Sequence, residues 1–216
     1  MADANAAIAG ILAQGPVVPV IVIEDVAHAV PLAKALVAGG VRVLEVTLRT
    51  GAGLESIRRM REEVPDAIVG AGTVLTGAQL EEVAGVGAAF AVSPGATRSL
   101  LDAAASSPVP LLPGTATASE VMALLERGYG HMKLFPAEAA GGVELLSSLA
   151  SPLPAARFCP TGGIDVEKAK RYLALPNVVC VGGSWLVPRD AVRQGDWARI
   201  TGLARATAEL KVDRSR

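Results

Sequence analysis

The chain has 216 residues, 51% of them hydrophobic and 19% charged, with a mean hydropathy of +0.42, so it has ample apolar surface for a core and is no disordered segment. Twenty Lys and Arg stand against 21 Asp and Glu, a net charge of −1 that excludes a global electrostatic pull toward nucleic acid or anionic lipid. Apolar runs such as residues 17–23 stop well short of the ~18 residues of a spanning helix, so no membrane partner is expected and the hydrophobicity is that of buried strands.

In chain order, residues 1–15 lack the basic start and long apolar stretch of a signal peptide and read as an alanine-rich N-terminal helix. Eight short β-branched runs follow, at 17–23, 41–48, 67–73, 88–94, 109–114, 131–136, 157–162 and 178–184. Intervening segments such as 27–38, 54–64 and 77–86 have helical length and helical apolar spacing. Parallel strands need such crossovers, and a sheet covered by helices explains strands that are apolar nearly throughout. Eight evenly spaced units predict an α/β fold, a (β/α)8 TIM barrel with an N-terminal helix, as one domain over 1–216 with a charged, frayed tail at 211–216. A doubly wound open sheet fits less well, because no Gly-x-Gly-x-x-Gly follows the first strand. The two cysteines, Cys159 and Cys180, lie in apolar strand-like runs without metal or disulfide spacing, so both are expected to be buried and the location cytoplasmic.

In a barrel the active site gathers at the C-terminal ends of the strands. Along residues 41–49, period two puts Val43, Glu45 and Thr47 on one face, with Arg49 on the same side just beyond; Arg42 has the opposite parity and a structural reading. Glu45 therefore points inward, where a carboxylate is costly unless paired or employed, and a plain ion pair with Arg49 or a lysine is the bland account. Four of the five lysines fall in helical or terminal segments. Lys133 instead shares an inward face with His131 and Phe135. Burial and a nearby cation such as Arg49 disfavour an ammonium, and a neutral amine is the form that attacks a carbonyl; an ammonium held by Glu45 is again the bland account. His131 lies two residues deeper and reads as structural, and His28 has no partner that suggests a metal or a triad.

The last two strands end in Thr161-Gly162-Gly163 and Gly182-Gly183-Ser184. A single Gly-Gly is an ordinary turn, but a pair of them after strands seven and eight suits a phosphate held by backbone N–H groups. Thr73 closes the third strand and Pro94 the fourth. The hydroxyl of Thr73 can meet a carboxylate beside Arg49, while Pro94 and Phe135 can wall an apolar pocket.

Six stretches carry a family likeness: residues 16–21, 39–50, Gly70-Ala71-Gly72-Thr73-Val74, Lys133-Leu134-Phe135-Pro136-Ala137-Glu138, 157–164 and Gly182-Gly183-Ser184-Trp185-Leu186-Val187. The chain resembles, over nearly its whole length, the bacterial 2-keto-3-deoxy-6-phosphogluconate (KDPG) aldolases, class I lyases of the Entner–Doudoroff pathway often also active on 4-hydroxy-2-oxoglutarate (KHG). The resemblance implies that Lys133 forms the Schiff base and Glu45 is the general acid/base. It implies that Arg49 and Thr73 contact the pyruvate carboxylate, that Pro94 and Phe135 line the pocket, and that Thr161, Gly162, Gly163, Gly183 and Ser184 hold the hydroxyl and phosphate end. It further implies a sugar-acid phosphate as substrate, pyruvate as product, no metal or cofactor, and a homotrimer. Thr115 and Ala96 depart from the larger aliphatic residues of the family and His131 is also atypical, which opens the breadth of aldehyde specificity. An aldolase for the galactonate epimer, or a non-catalytic barrel that binds a sugar phosphate, are the rival readings.

Overall fold

The computed structural model describes residues 2–210, so the tail expected at 211–216 lies outside the described residues. Nine strands form among the described residues: β1 Val17–Ile21, β2 Val43–Thr47, β3 Ile68–Gly72, β4 Ala91–Val92, β5 Leu111–Leu112, β6 Gly114–Thr115, β7 His131–Leu134, β8 Arg157–Pro160 and β9 Val181–Gly183. They pair in the orders β5-β4-β3-β2-β1-β9 and β6-β7-β8, always in parallel. Isolated parallel bridges join Phe158 to Val178 and Thr161 to Gly182, between the ends of the two groups. The architecture is a mixed α/β fold with a curled parallel sheet.

All eight expected strand runs contain a strand, with two differences. The ladder in 88–94 is confined to β4, although the N–H groups of Ala89 and Ala91 still donate to Val69 and Pro110. The run at 109–114 is divided into β5 and β6 by Pro113, which has no N–H to give to a ladder. Helices fill the crossovers, and five of them start on a polar cap. Thr76, Thr97, Asp165 and Asp196 each accept from a backbone N–H three residues on, and Thr117 forms a reciprocal capping box with Glu120.

Strand alternation sorts the apolar side chains into two cores. Leu44, Val46, Val69, Ala71, Met132 and Leu134 face the helices. Val18, Val43, Phe90, Val92, Leu112, Cys159 and Cys180 face the inside of the curl, together with Ile8 and Leu12 of the helix Ala2–Leu12. That helix packs at the N-terminal ends of the strands, where Asn5 Oδ1 accepts from the Gly130 N–H at 3.0 Å and meets His131 Nδ1 at 3.2 Å. His131 therefore has a structural partner. Burial, and secondarily Arg157, hold its pKa below the usual histidine value. No helix among the described residues is long and apolar enough to cross a membrane.

Because Ile8 and Leu12 seal the interior, Leu12→Ala is expected to destabilise the protein by about 2–5 kcal/mol through the cavity it leaves. Urea unfolding checks this, and an unchanged midpoint would mean that the helix does not seal the core.

Candidate active site

Glu45 lies mid-strand in β2, in register with Gly70 on β3 and Val20 on β1; Lys133 in β7 is in register with Gly114 on β6 and Cys159 on β8. Alternation turns both side chains inward, as the period-two reading requires. They meet there, Lys133 Nζ donating to Glu45 Oε1 at 3.2 Å, with each residue only 3% exposed. The glycines beside them make this approach possible. A Cβ on Gly72 would overlap the Glu45 carboxyl group, and one on Gly70 would collide with the Phe90 ring. The Phe135 ring centroid lies 5.4 Å from Nζ, close enough for a cation–π contact.

Arg49 sits on the turn after β2, and three bonds fix that turn. Thr47 Oγ1 donates to Ile21 O at 2.9 Å, Thr50 Oγ1 to Ile23 O at 2.5 Å, and the Leu48 N–H to Gly72 O at 2.9 Å. Arg49 Nε in turn donates to Thr73 Oγ1 at 3.1 Å. Thr73 has φ 61°, a left-handed conformation that is strained for a β-branched residue by about 1–3 kcal/mol. A threonine after Gly-Ala-Gly looks in sequence like an ordinary strand end, so this strain was not legible there.

Above the buried pair opens a cavity of about 340 Å³. Of the expected residues, Arg49, Phe135, Thr161, Gly162, Gly163, Gly183 and Ser184 line it. Glu45, Lys133, Thr73 and Pro94 do not. The first two lie buried against each other, Thr73 reaches the cavity wall through Arg49, and the Pro94 backbone stands against Gly114, the register neighbour of Lys133. Thr115 and Ala96 also lie away from the cavity. Thr115 is buried with its hydroxyl toward Thr117 O and Glu120, and Ala96 packs on the helix-facing core.

The turn Gly162-Gly163 has φ 108° and 77°, where glycine alone is free of strain. A network that sequence reasoning missed supports it from behind. Ala137 and Glu138 donate their N–H groups to Thr161 O at 2.8 Å and Gly162 O at 3.2 Å. The Glu138 carboxylate accepts from Tyr172 Oη at 2.5 Å and Lys168 Nζ at 2.9 Å, while Lys168 Nζ also donates to Gly163 O at 2.8 Å. Tyr172, and next Lys168, hold the Glu138 carboxyl below the usual carboxylate range; burial, and next Glu138, push the Tyr172 phenol up. Glu138 and Tyr172 are 34 positions apart, so no local pattern announces the pair. Arg189 was missed too: it also lines the cavity, from a helix beyond the Gly-Gly-Ser turn. Among the described residues, no three His, Cys, Asp or Glu side chains gather where they would hold a metal ion.

A family model described as KDPG and KHG aldolase matches residues 8–203. The 2-dehydro-3-deoxy-phosphogluconate aldolase of Dickeya dadantii is 60% identical over 195 residues, 90% of this chain and 92% of that protein. The crystal structure of the KDPG aldolase of Legionella pneumophila, with pyruvate captured at low pH as a covalent carbinolamine intermediate, superimposes with a TM-score of 0.91 at 48% identity, covering 93% of this chain and 98% of that one. The KDPG aldolase of Zymomonas mobilis with 3-phosphoglycerate gives the same TM-score of 0.91 and 48% identity, over 95% of this chain and 96% of that one.

The Glu138 network carries a pH dependence. Its carboxyl is held lower in the folded chain than in an unfolded one, so its stabilisation is full above the ordinary carboxylate range and is lost as pH falls through the lowered value. Tyr172→Phe should therefore cost about 1 kcal/mol near pH 7, a figure discounted for solvent screening of Glu138, and less near about pH 3. Unfolding curves at both pH values check it; a difference independent of pH would tie Tyr172 to packing alone.

Proposed function

Since the chain belongs to the KDPG and KHG aldolase family, we propose that the buried Lys133–Glu45 pair and the cavity above it form one Schiff-base site. The protein is a class I aldolase that cleaves 2-keto-3-deoxy-6-phosphogluconate to pyruvate and glyceraldehyde 3-phosphate. The same chemistry takes 4-hydroxy-2-oxoglutarate to pyruvate and glyoxylate. The observation that carries the assignment of residues is a lysine 3% exposed, facing a carboxylate 3.2 Å away, beneath a cavity whose wall carries Arg49 and Ser184.

Two ions buried together are costly, and a proton passed from Nζ to Oε1 leaves a neutral amine and a neutral acid in the same place. Lys133 Nζ then attacks the C2 ketone. The carbinolamine loses water, with Glu45 giving the proton that water needs, and a protonated imine results. That cation is the electron sink. Glu45, now a carboxylate, takes the proton of the C4 hydroxyl; the C3–C4 electron pair flows toward the imine, and the aldehyde leaves. The enamine takes its proton back at C3 from Glu45, and water hydrolyses the imine to release pyruvate. Loss and return of the proton at one carboxylate explain why a single acid suffices. Arg49 binds the pyruvate carboxylate together with Thr73, and Phe135 and Pro94 exclude water around the imine. Thr161, Gly162, Gly163, Gly183 and Ser184 take the hydroxyl and phosphate end. The carbinolamine captured in the Legionella relative is the first covalent species of this sequence, and the 3-phosphoglycerate in the Zymomonas structure is a phosphorylated three-carbon acid of the leaving aldehyde's size.

We read the two strand groups as one closed (β/α)8 barrel in a single domain. The Phe158–Val178 and Thr161–Gly182 bridges on one side and the short step across Pro113 on the other support that closure. The same proposal includes a homotrimer, which light scattering would size, and a cytoplasmic location, to which two buried cysteines are suited.

Incubation with pyruvate and sodium borohydride should fix a reduced pyruvyl group on Lys133, seen by intact mass and peptide mapping. Lys133→Ala should lose both the adduct and cleavage, and substantial turnover in it would end the imine assignment. Glu45→Gln should still form the adduct while kcat falls about 10²–10⁴-fold. An unchanged kcat would move the acid/base elsewhere.

A further inference from the structure

The cavity holds a charge that the phosphate-end assignment does not use. Its wall carries two charged side chains, Arg49 and Arg189, and no carboxylate. Arg49 is engaged by Thr73 beside the buried pair. Arg189 is exposed and has no hydrogen-bond or ion-pair partner among the described residues. Carboxylates stand near it in sequence and space, but each is already taken. Asp190 accepts from Arg199 at 2.7 Å, Glu24 pairs with Arg193 at 3.6 Å, and Asp25 accepts from the Ala27 N–H at 2.9 Å. An exposed arginine is ordinarily a solvated surface group. This one lines the concave site and also borders a neighbouring recess with Glu24 and Asp25, yet it pairs with neither acid.

We propose that Arg189 is a specificity-determining residue of this enzyme, supplying a guanidinium to the phosphate of the bound sugar acid. The proposal rests on the reading of Ser184 and the glycine turns as the phosphate end. Those groups are neutral donors, and they recognise phosphate by geometry alone. A guanidinium on the same wall adds charge-assisted, two-pronged bonding to a group bearing close to two negative charges. The substrate is anionic at both ends, a carboxylate next to the ketone and a phosphate at the far carbon. A cavity with one arginine beside the pair and a second on the Ser184 wall is matched to that distribution. Among the described residues no acid lines the cavity itself, and Arg49 and Arg189 are its charged wall groups.

The test compares KDPG with its unphosphorylated counterpart, 2-keto-3-deoxygluconate, in Arg189→Gln, Arg189→Lys and Ser184→Ala. Arg189→Gln should raise KM for the phosphorylated substrate about tenfold with kcat nearly unchanged, and weaken inhibition by inorganic phosphate to a similar degree. KM for the unphosphorylated substrate should move less than about twofold, the decline of kcat/KM with salt should become shallower, and Arg189→Lys should recover part of the loss. If Arg189→Gln changes neither substrate, or both equally, while Ser184→Ala selectively impairs the phosphorylated one, the role of Arg189 is overturned and the phosphate end stands. If Ser184→Ala also fails to separate the substrates, the phosphate end itself is misassigned and the proposal on Arg189 falls with it.

Discussion

An ammonium and a carboxylate inside a protein are tolerable only when each replaces the water the other has lost, and the contact between Lys133 and Glu45 at 3.2 Å is the constraint around which this fold is arranged. The other inward residues of their strands are already partnered or apolar: Thr47 donates to Ile21 O, His131 meets Asn5, and Val43 packs in the inner core. Gly70 and Gly72 flank Glu45 across β3, and Gly114 and Cys159 flank Lys133. A side chain at Gly72 would push the carboxylate away from its partner, leaving one buried charge alone. The glycines of β3, unfavourable for a strand on propensity, are retained because the pair needs the room they leave.

The pair also marks a boundary between two kinds of interior. On the N-terminal side lies an apolar plug of Val18, Val43, Leu112 and Cys180, closed by Ile8 and Leu12, which keeps water from reaching the charges from below. On the C-terminal side lies the open cavity, with the Gly162-Gly163 and Gly182-Gly183 turns and two arginines on its wall. The proposed imine chemistry would therefore be approached from the C-terminal side, where the cavity opens. The strained Thr73 belongs to this boundary: its turn is held by the fixed neighbours Leu48 and Gly72, and its hydroxyl receives Arg49.

What was legible in the sequence follows from the range over which each constraint acts. Strand parity is local, so period two placed Glu45, Lys133 and His131 on the inward face, and the structure has them there. Helix caps are equally local signals, and although the sequence reading did not single them out, Thr76, Thr97, Thr117, Asp165 and Asp196 stand where five of the helices start. The split of the fifth strand at Pro113 follows from a missing N–H and was available to a closer reading of the same residues. Relations between distant elements were not available. The Glu138–Tyr172–Lys168 network joins two helices, the strain at Thr73 is a backbone angle, and the exposure of Arg189 to the cavity depends on where its own acidic neighbours find partners. Thr115 shows the opposite failure: a departure from the family pattern drew attention in sequence, yet its side chain serves a helix cap on the far face of the strand.

The charge arrangement separates recognition from chemistry. Lys133 and Glu45 are opposite in sign and in contact, so at a distance their fields largely cancel, whichever of them holds the shared proton. The Glu138–Lys168 pair behind the Gly162-Gly163 turn is neutral as a unit for the same reason, and fixes the turn without setting the potential of the cavity. Arg49 and Arg189 are then the charged groups left on the cavity wall among the described residues. In the proposed mechanism the balance inside changes once a ketone reaches Nζ: the amine would become a cationic imine faced by the Glu45 carboxylate, and a pair whose charges cancel outward would move electrons inward.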